Sequence, residues 1–219
     1  MPGVLLPACL IIEVIESNKI NMAIDLYLAS ASPRRKELLE SMGLQIECCP
    51  ANIEEIRQAA ELPNQYVERL AVEKANAALS LQAQPQETIP FLGADTIVVC
   101  NGEVFEKPQD QADAIRMWQA MSGGQHQVLT AIAVLGIIDG ELQKYTALST
   151  NNVTLKAISN QEMSAYWQSG DPQDKAGAYG IQGRASAWVE SIEGSFSGIM
   201  GLPLYETNQL LRHFGLNWL

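Results

Sequence analysis

Histidine is nearly absent from this 219-residue chain, with His126 and His213 the only two. Cysteine is scarce as well: Cys9, Cys48, Cys49 and Cys100 make four, and no C-x-x-C pair occurs. These shortages exclude a zinc site of the usual spacing and a disulfide scaffold. The cysteines are expected to be reduced, buried small hydrophobes of a cytoplasmic protein. Basic residues are outnumbered, 14 Lys and Arg against 25 Asp and Glu, for a formal net charge of −11. A chain this acidic lacks the basic surface that sequence-independent nucleic-acid binding and docking on anionic membranes require. The N-terminal apolar run Val4–Ile12 is too short to span a bilayer. It has no basic residue before it, and Glu13 and Glu16 follow at once, so it does not read as a secretory signal. Either translation is expected to begin near Met22, just before the first convincing strand, or residues 1–21 are expected to be a dispensable tail.

What is present is an ordinary globular composition, 47% hydrophobic and 18% charged, on a chain long enough to bury a sizeable core. Leu26–Ala29 fits a short buried strand. Ser32-Pro33 opens a helix as N-cap and first helical residue, and Gly43 closes it. Gln45–Cys49 reads as a strand, 64–84 as the longest helix, and Phe91–Cys100 as a strand ending in the hairpin signal Asn101-Gly102. A helix is expected at about 110–122. Val128–Ile138 and Glu141–Lys156 are strand-like and joined by a second such turn, Asp139-Gly140. Helices return at about 159–169 and at Pro203–Phe214. Residues 170–201 hold seven glycines and read as loop-rich. Helices alternate with strands while two hairpins intrude, so the class is α/β with a mixed sheet. No linker-like stretch divides residues 22–219.

Three features sit oddly on this frame. On the long helix, Val67, Leu70, Ala71, Ala75 and Ala78 mark one apolar face, and Lys74 falls on it. Either its stem lies over apolar surface while its amine reaches water, or the amine points into a cleft toward an anion. Asp95 lies inside an apolar strand, where a carboxylate must be paired, bind a metal or shift its pKa, unless it sits in a strand-end turn. A two-residue turn at Asn101-Gly102 sets Cys100 opposite Glu103, Val98 opposite Phe105 and Thr96 opposite Lys107, returning a cation beside Asp95. Finally Arg34, Arg35 and Lys36 crowd the first turn of a helix, where the dipole disfavours cations but free N–H groups suit a phosphate. The bland reading is a solvated basic turn. Glu54-Glu55, in the loop after the second strand, reads as surface or as a divalent-metal ligand.

With these residues the chain resembles the Maf family of nucleoside triphosphate pyrophosphatases. The matching segments are Leu-Ala-Ser-Ala-Ser-Pro-Arg-Arg at 28–35, Glu-Lys-Ala at 73–75, Gly-Ala-Asp-Thr at 93–96 and Lys-Pro at 107–108. Met-Ser-Gly at 121–123, His-Gln-Val at 126–128, Asp-Lys-Ala-Gly-Ala-Tyr-Gly-Ile-Gln-Gly at 174–183 and Gly-Leu-Pro-Leu at 201–204 continue them in order. The resemblance runs from about Ile24 to the C-terminus and leaves out residues 1–21. It implies an inosine-triphosphatase-like fold: a mixed, twisted sheet with flanking helices, forming one catalytic domain over 22–219 with two lobes around a central cleft.

The reaction it implies is cleavage of a nucleoside triphosphate to the monophosphate and pyrophosphate with a divalent metal. Mg²⁺ is the default, with Mn²⁺ or Co²⁺ as substitutes. Asp95 would be the proton acceptor that activates water. Ser30, Arg34, Lys74 and Lys107 would bind the triphosphate, and Glu55 would help hold the metal. Three further positions, Arg35, Thr96 and Gln182, are linked in the family to base choice. As they stand here the chain looks like the subgroup that prefers dTTP and UTP. The sister subgroup, which prefers 7-methyl-GTP, carries an acidic residue where Gln182 stands. A regulator of septum formation that works by binding is the non-enzymatic alternative, and a two-fold homodimer is the default assembly. One tension accompanies these expectations: in an ideal pleat Asp95 and Thr96 point to opposite faces, yet both are expected in one pocket.

Overall fold

Three apolar residues, Leu26–Leu28, form β1 at the start of a computed structural model that describes residues 24–50, 52–82 and 89–217. The N-terminal extension with Met22 and Cys9, and the last two residues of the helix expected at 64–84, lie outside the described residues. Helix α1 (Pro33–Ser41) follows, its Ser32 side chain accepting from Arg35 N–H and Pro33 at its first position. Gly43, at φ +86°, takes the left-handed turn that lets the chain reverse into β2 (Ile46–Cys48). Helix α2 (Pro63–Leu81) leads to β3 (Phe91–Cys100), which turns into β4 (Glu103–Phe105). Helix α3 (Gln111–Met121) precedes the long hairpin of β5 (Gln125–Ile138) and β6 (Glu141–Leu155). Both hairpin turns have positive φ at both central residues, Asn101-Gly102 and Asp139-Gly140, as the primed turn requires. Helix α4 (Asn160–Gln168) opens on a capping box between Ser159 and Glu162. The loop-rich stretch then contains two short 3₁₀ turns, a strand β7 (Val189–Glu193) and a one-turn helix α5 (Phe196–Ile199), before α6 (Leu204–Arg212).

The seven strands make one mixed sheet in the order β2-β1-β3-β5-β6-β7, with β4 on the edge of β3. β1 runs parallel to β2 and β3, and every other pairing is antiparallel. On one face α2 lays Tyr66, Val67, Leu70, Ala71 and Ala75 over Ile97, Leu129 and Ala131. On the other, Leu92, Ala94 and Ile132 meet Leu210 and Leu211 of α6, and Val98 and Val128 meet Trp118 of α3. Each such fully buried large side chain contributes about 1.5–3 kcal/mol. Gly93 lets α2 approach: a Cβ there would lie 2.6 Å from Ala75 N.

Three expectations need correction. β5 begins three residues before Val128, because the register Gln125↔Thr154 to Gln127↔Asn152 extends its ladder with β6. β7 is a strand in a stretch that reads as loop; it is an edge strand with a register shift at Thr154/Leu155, so its alternation is weak. Of the described cysteines, Cys100 is buried, Cys49 is half-buried and Cys48 is exposed on the short edge strand β2; all three are free thiols.

Candidate active site

The topology leaves a gap along β3. β1 covers it only as far as Leu92, and β4 only from Val98. Between them, Gly93–Ile97 are paired on one side alone, with β5. A cleft of about 680 Å³ opens here, lined by residues of the β1–α1 turn, β3, the segment after β4 and the loop after α4. The uncovered edge resolves the tension over Asp95 and Thr96. They point to opposite faces, as the pleat demands, and the cleft wraps around the strand edge to reach both.

On the α2 face, Asp95 is 5% exposed and sits inside the strand rather than in a turn. Lys74 Nζ donates to Asp95 Oδ1 at 2.6 Å and lies 3.0 Å from Glu55 Oε1. The lysine on the apolar stripe therefore points into the cleft and gathers two carboxylates. Glu54 is exposed and outside this group. Glu106 also lines the cleft, its carboxylate accepting from the Tyr66 hydroxyl, whose oxygen also lies 2.9 Å from Glu55 O. Burial, and then this bond to Glu106, push the Tyr66 phenol well above its ordinary value.

Across the strand edge stand the α1 arginines. Arg35 donates from Nε to Gly201 O (2.8 Å), from Nη1 to Ser30 Oγ (3.3 Å) and from Nη2 to Thr96 Oγ1 (3.1 Å). Burial pulls its guanidinium below the ordinary value, opposed by the charges of Asp95 and Glu55. Arg34 instead reaches Asp174 Oδ2 at 3.3 Å, and Asp174 also accepts from Lys175 at 2.7 Å. Burial raises the Asp174 carboxyl, but Lys175 and Arg34 outweigh it and leave the carboxyl below its ordinary value. Lys36 does not join the cleft; it pairs with Glu40 one turn on, at the surface.

Lys107 and Gln182 line the cleft with exposed side chains. The expected Thr96–Lys107 pairing is not formed. β4 ends at Phe105, because Glu106 O accepts from Gly177 N–H (3.0 Å) and the chain is drawn out toward the 174–183 loop. Lys107 reaches the cleft from that departing segment. All nine expected residues thus meet at one cleft: Ser30, Arg34, Arg35, Glu55, Lys74, Asp95, Thr96, Lys107 and Gln182. Sequence reasoning gave no role to Glu106, Thr130, Asp174, Lys175 or Tyr179. Thr130 carries the same signal that exposed Asp95, a polar residue within an apolar run, and it is fully buried. Tyr179 lines the cleft and its hydroxyl lies 2.7 Å from Nε2 of His126, a 2%-exposed imidazole that burial pushes down to about 4.

The fold and site define a class: an α/β protein with cations and a buried carboxylate converging at the uncovered edge of a mixed sheet. Comparison with known proteins gives the family. The family model described as Maf-like protein matches residues 25–214, and the chain belongs to the Maf family. Its relatives include a dTTP/UTP pyrophosphatase of Vibrio cholerae, 52% identical over 191 residues that cover 86% of this chain and 97% of the relative. The dTTP/UTP pyrophosphatase of Salmonella typhimurium is 51% identical over 189 residues, 86% and 92% of the two chains. That of Saccharophagus degradans is 45% identical over 197 residues, covering 90% and 92%. No helix among the described residues is long and apolar enough to cross a membrane.

Proposed function

We propose that this protein is a cytoplasmic pyrophosphatase that hydrolyses dTTP and UTP to the monophosphate and pyrophosphate. The observation that carries the reading is the Lys74–Asp95 pair at the open edge of β3, in a chain whose curated relatives are named for this reaction. Lys74 accounts for Asp95 Oδ1 and leaves Oδ2 to take a proton from water. The water oxygen then forms its bond to the α-phosphorus as the bond to the β-bridging oxygen breaks, and pyrophosphate leaves. Ser30, Arg34, Lys74 and Lys107 neutralise the triphosphate, with Arg34 exchanging Asp174 for a phosphate oxygen. Arg35, Thr96 and Gln182 meet the base. A neutral Gln amide both donates and accepts, which suits a pyrimidine edge.

The donor set fits a divalent metal of the magnesium type, which is bound by one or two carboxylates and completes its shell with water and substrate phosphate. Among the described residues no cluster of three or more metal-ligating side chains occurs, and Glu55 is the carboxylate we assign to the ion, with Oε1 turned to Lys74. When bound, the ion offsets charge on the phosphates.

The test is product formation from a panel of dTTP, UTP, CTP, GTP, ATP and 7-methyl-GTP with Mg²⁺. Monophosphate plus pyrophosphate from dTTP and UTP is the expected result. Preference for 7-methyl-GTP would refute the assignment of Arg35, Thr96 and Gln182. Absence of hydrolysis with every nucleotide and with Mg²⁺, Mn²⁺ and Co²⁺ would shift the reading to the binding regulator.

A further inference from the structure

The two faces of β3 divide the cleft by chemistry. Charges crowd the Asp95 face, with Lys74 and Glu55. The Thr96 face is largely apolar, bounded by Val98, Val128, Ile199 and Met200, with the Arg35 guanidinium as the charge beside Thr96. A planar base belongs on the second, and Thr96 is the hydroxyl that meets it.

The hydrogen bonds around that hydroxyl have only one consistent direction. Thr130 Oγ1 lies 2.8 Å from Gly198 O, and a carbonyl can only accept, so the single Thr130 proton is spent there. Thr130 Oγ1 is also 2.9 Å from Thr96 Oγ1, and with its own proton committed it must accept. The Thr96 proton therefore points away from the substrate, into the fold. Arg35 Nη2, a donor in every state, occupies one Thr96 lone pair at 3.1 Å. One lone pair is left. Gly201 keeps the space beside it open, since a Cβ there would stand 3.3 Å from Thr96 Oγ1.

We infer that Thr130, outside the set that touches substrate, is a specificity-determining positioning residue: it holds the Thr96 hydroxyl as an acceptor toward the base and so selects a ring N–H. Uracil and thymine carry a hydrogen on N3, which meets the lone pair. Cytosine carries a lone pair on N3, which opposes it. The inference rests on the dTTP/UTP reading and adds the discrimination against CTP. Replacing Thr130 by valine keeps the β-branched shape, and Gly198 O retains the Gly201 N–H at 3.0 Å, so no buried carbonyl is orphaned. The Thr96 hydroxyl would then be free to rotate and donate to cytosine N3.

The experiment measures kcat/KM for UTP, CTP and 3-methyluridine triphosphate, whose N3 hydrogen is replaced by methyl, in the wild type, Thr130→Val and Thr130→Ser. The wild type is expected to favour UTP over CTP, and to lose about tenfold or more on the N3-methyl analogue. Thr130→Val should lower the UTP/CTP ratio about tenfold while still hydrolysing UTP, and Thr130→Ser should restore it. A purely structural role would lower both rates together and leave the ratio unchanged, which overturns the inference. If the valine variant fails to fold, the wild-type comparison decides: equal rates on UTP and its N3-methyl analogue overturn it. A wild type that takes UTP and CTP equally refutes this inference alone, whereas one inactive on every nucleotide refutes the proposed function and this inference together.

Discussion

Gly93→Ala is the substitution whose effect follows most directly from distances. The Cβ it adds would face α2, 2.6 Å from Ala75 N and 3.0 Å from Ala75 Cβ, and closer still to Ala71 O. Ordinary contact begins at 3.4 Å, so helix and strand must separate by about 1 Å. None of the three obstacles is the flexible end of a side chain; two are helix backbone. Overpacking of this kind costs about 1–3 kcal/mol. The displaced segment, Ala71–Ala75, carries Lys74, whose ammonium holds Asp95 at 2.6 Å. A shift of about 1 Å in a catalytic group lowers rates about a hundredfold. Urea unfolding should show the loss of stability, and pyrophosphate release from UTP the loss of kcat/KM. Gly124→Ala is the control: its nearest neighbour is Met121 O at 3.8 Å and its φ is not left-handed, so it should be neutral or stabilising by up to about 1 kcal/mol. A Gly93→Ala enzyme within about 0.5 kcal/mol and twofold of wild type would refute the claim that this glycine sets the helix–strand spacing of the site.

Lys74→Met removes the ammonium shared by Asp95 and Glu55 and leaves a buried carboxylate unpaired. It should cost about 3 kcal/mol in thermal or urea unfolding and at least about a hundredfold in kcat/KM; unchanged activity would remove Lys74 from the site. His126 gives a pH dependence. Its folded-state value is depressed from 6.5 to about 4 by burial, so as pH falls from about 6.5 to about 4 the unfolded chain takes up a proton that the native protein refuses. Stability should therefore fall by about 3 kcal/mol across that window. Glu61, held down to about 2 by Arg69, acts in the same direction at lower pH, below its ordinary 4.5. In His126→Gln the loss between pH 6.5 and 4 should shrink in urea titrations. An identical loss in the variant would contradict the buried neutral imidazole.

Much of this site was legible in the chain because its signals are violations of local rules. Lys74 on an apolar helix stripe, Asp95 in an apolar strand and arginines at a helix N-terminus each contradict the simplest solution for their element, and each proves to face the cleft. The hairpin register was legible as far as Phe105 because Asn101-Gly102 fixes the turn. It failed at Lys107, because a long-range bond, Gly177 N–H to Glu106 O, ends the strand, and no local pattern encodes it. The gap between β1 and β4 was invisible for the same reason, although it is what lets Asp95 and Thr96 share one cleft. β7 escaped notice because its edge position leaves its residues mostly exposed, without clean alternation. Thr130 could have been noticed as a polar residue within an apolar strand, but its two partners come from Thr96 and Gly198, 34 and 68 residues away.

The central claim is that Asp95, held by Lys74 at the open edge of β3, accepts the proton of the attacking water. Its most direct test is pyrophosphate release from UTP and dTTP with Mg²⁺, comparing wild type with Asp95→Asn, an isosteric change that keeps a hydrogen-bonding group beside Lys74. The account predicts rapid release by the wild type and a loss of at least about a hundredfold in kcat in the variant, with UTP still bound by the cations around it. An Asp95→Asn enzyme that turns over within a few fold of wild type would contradict it.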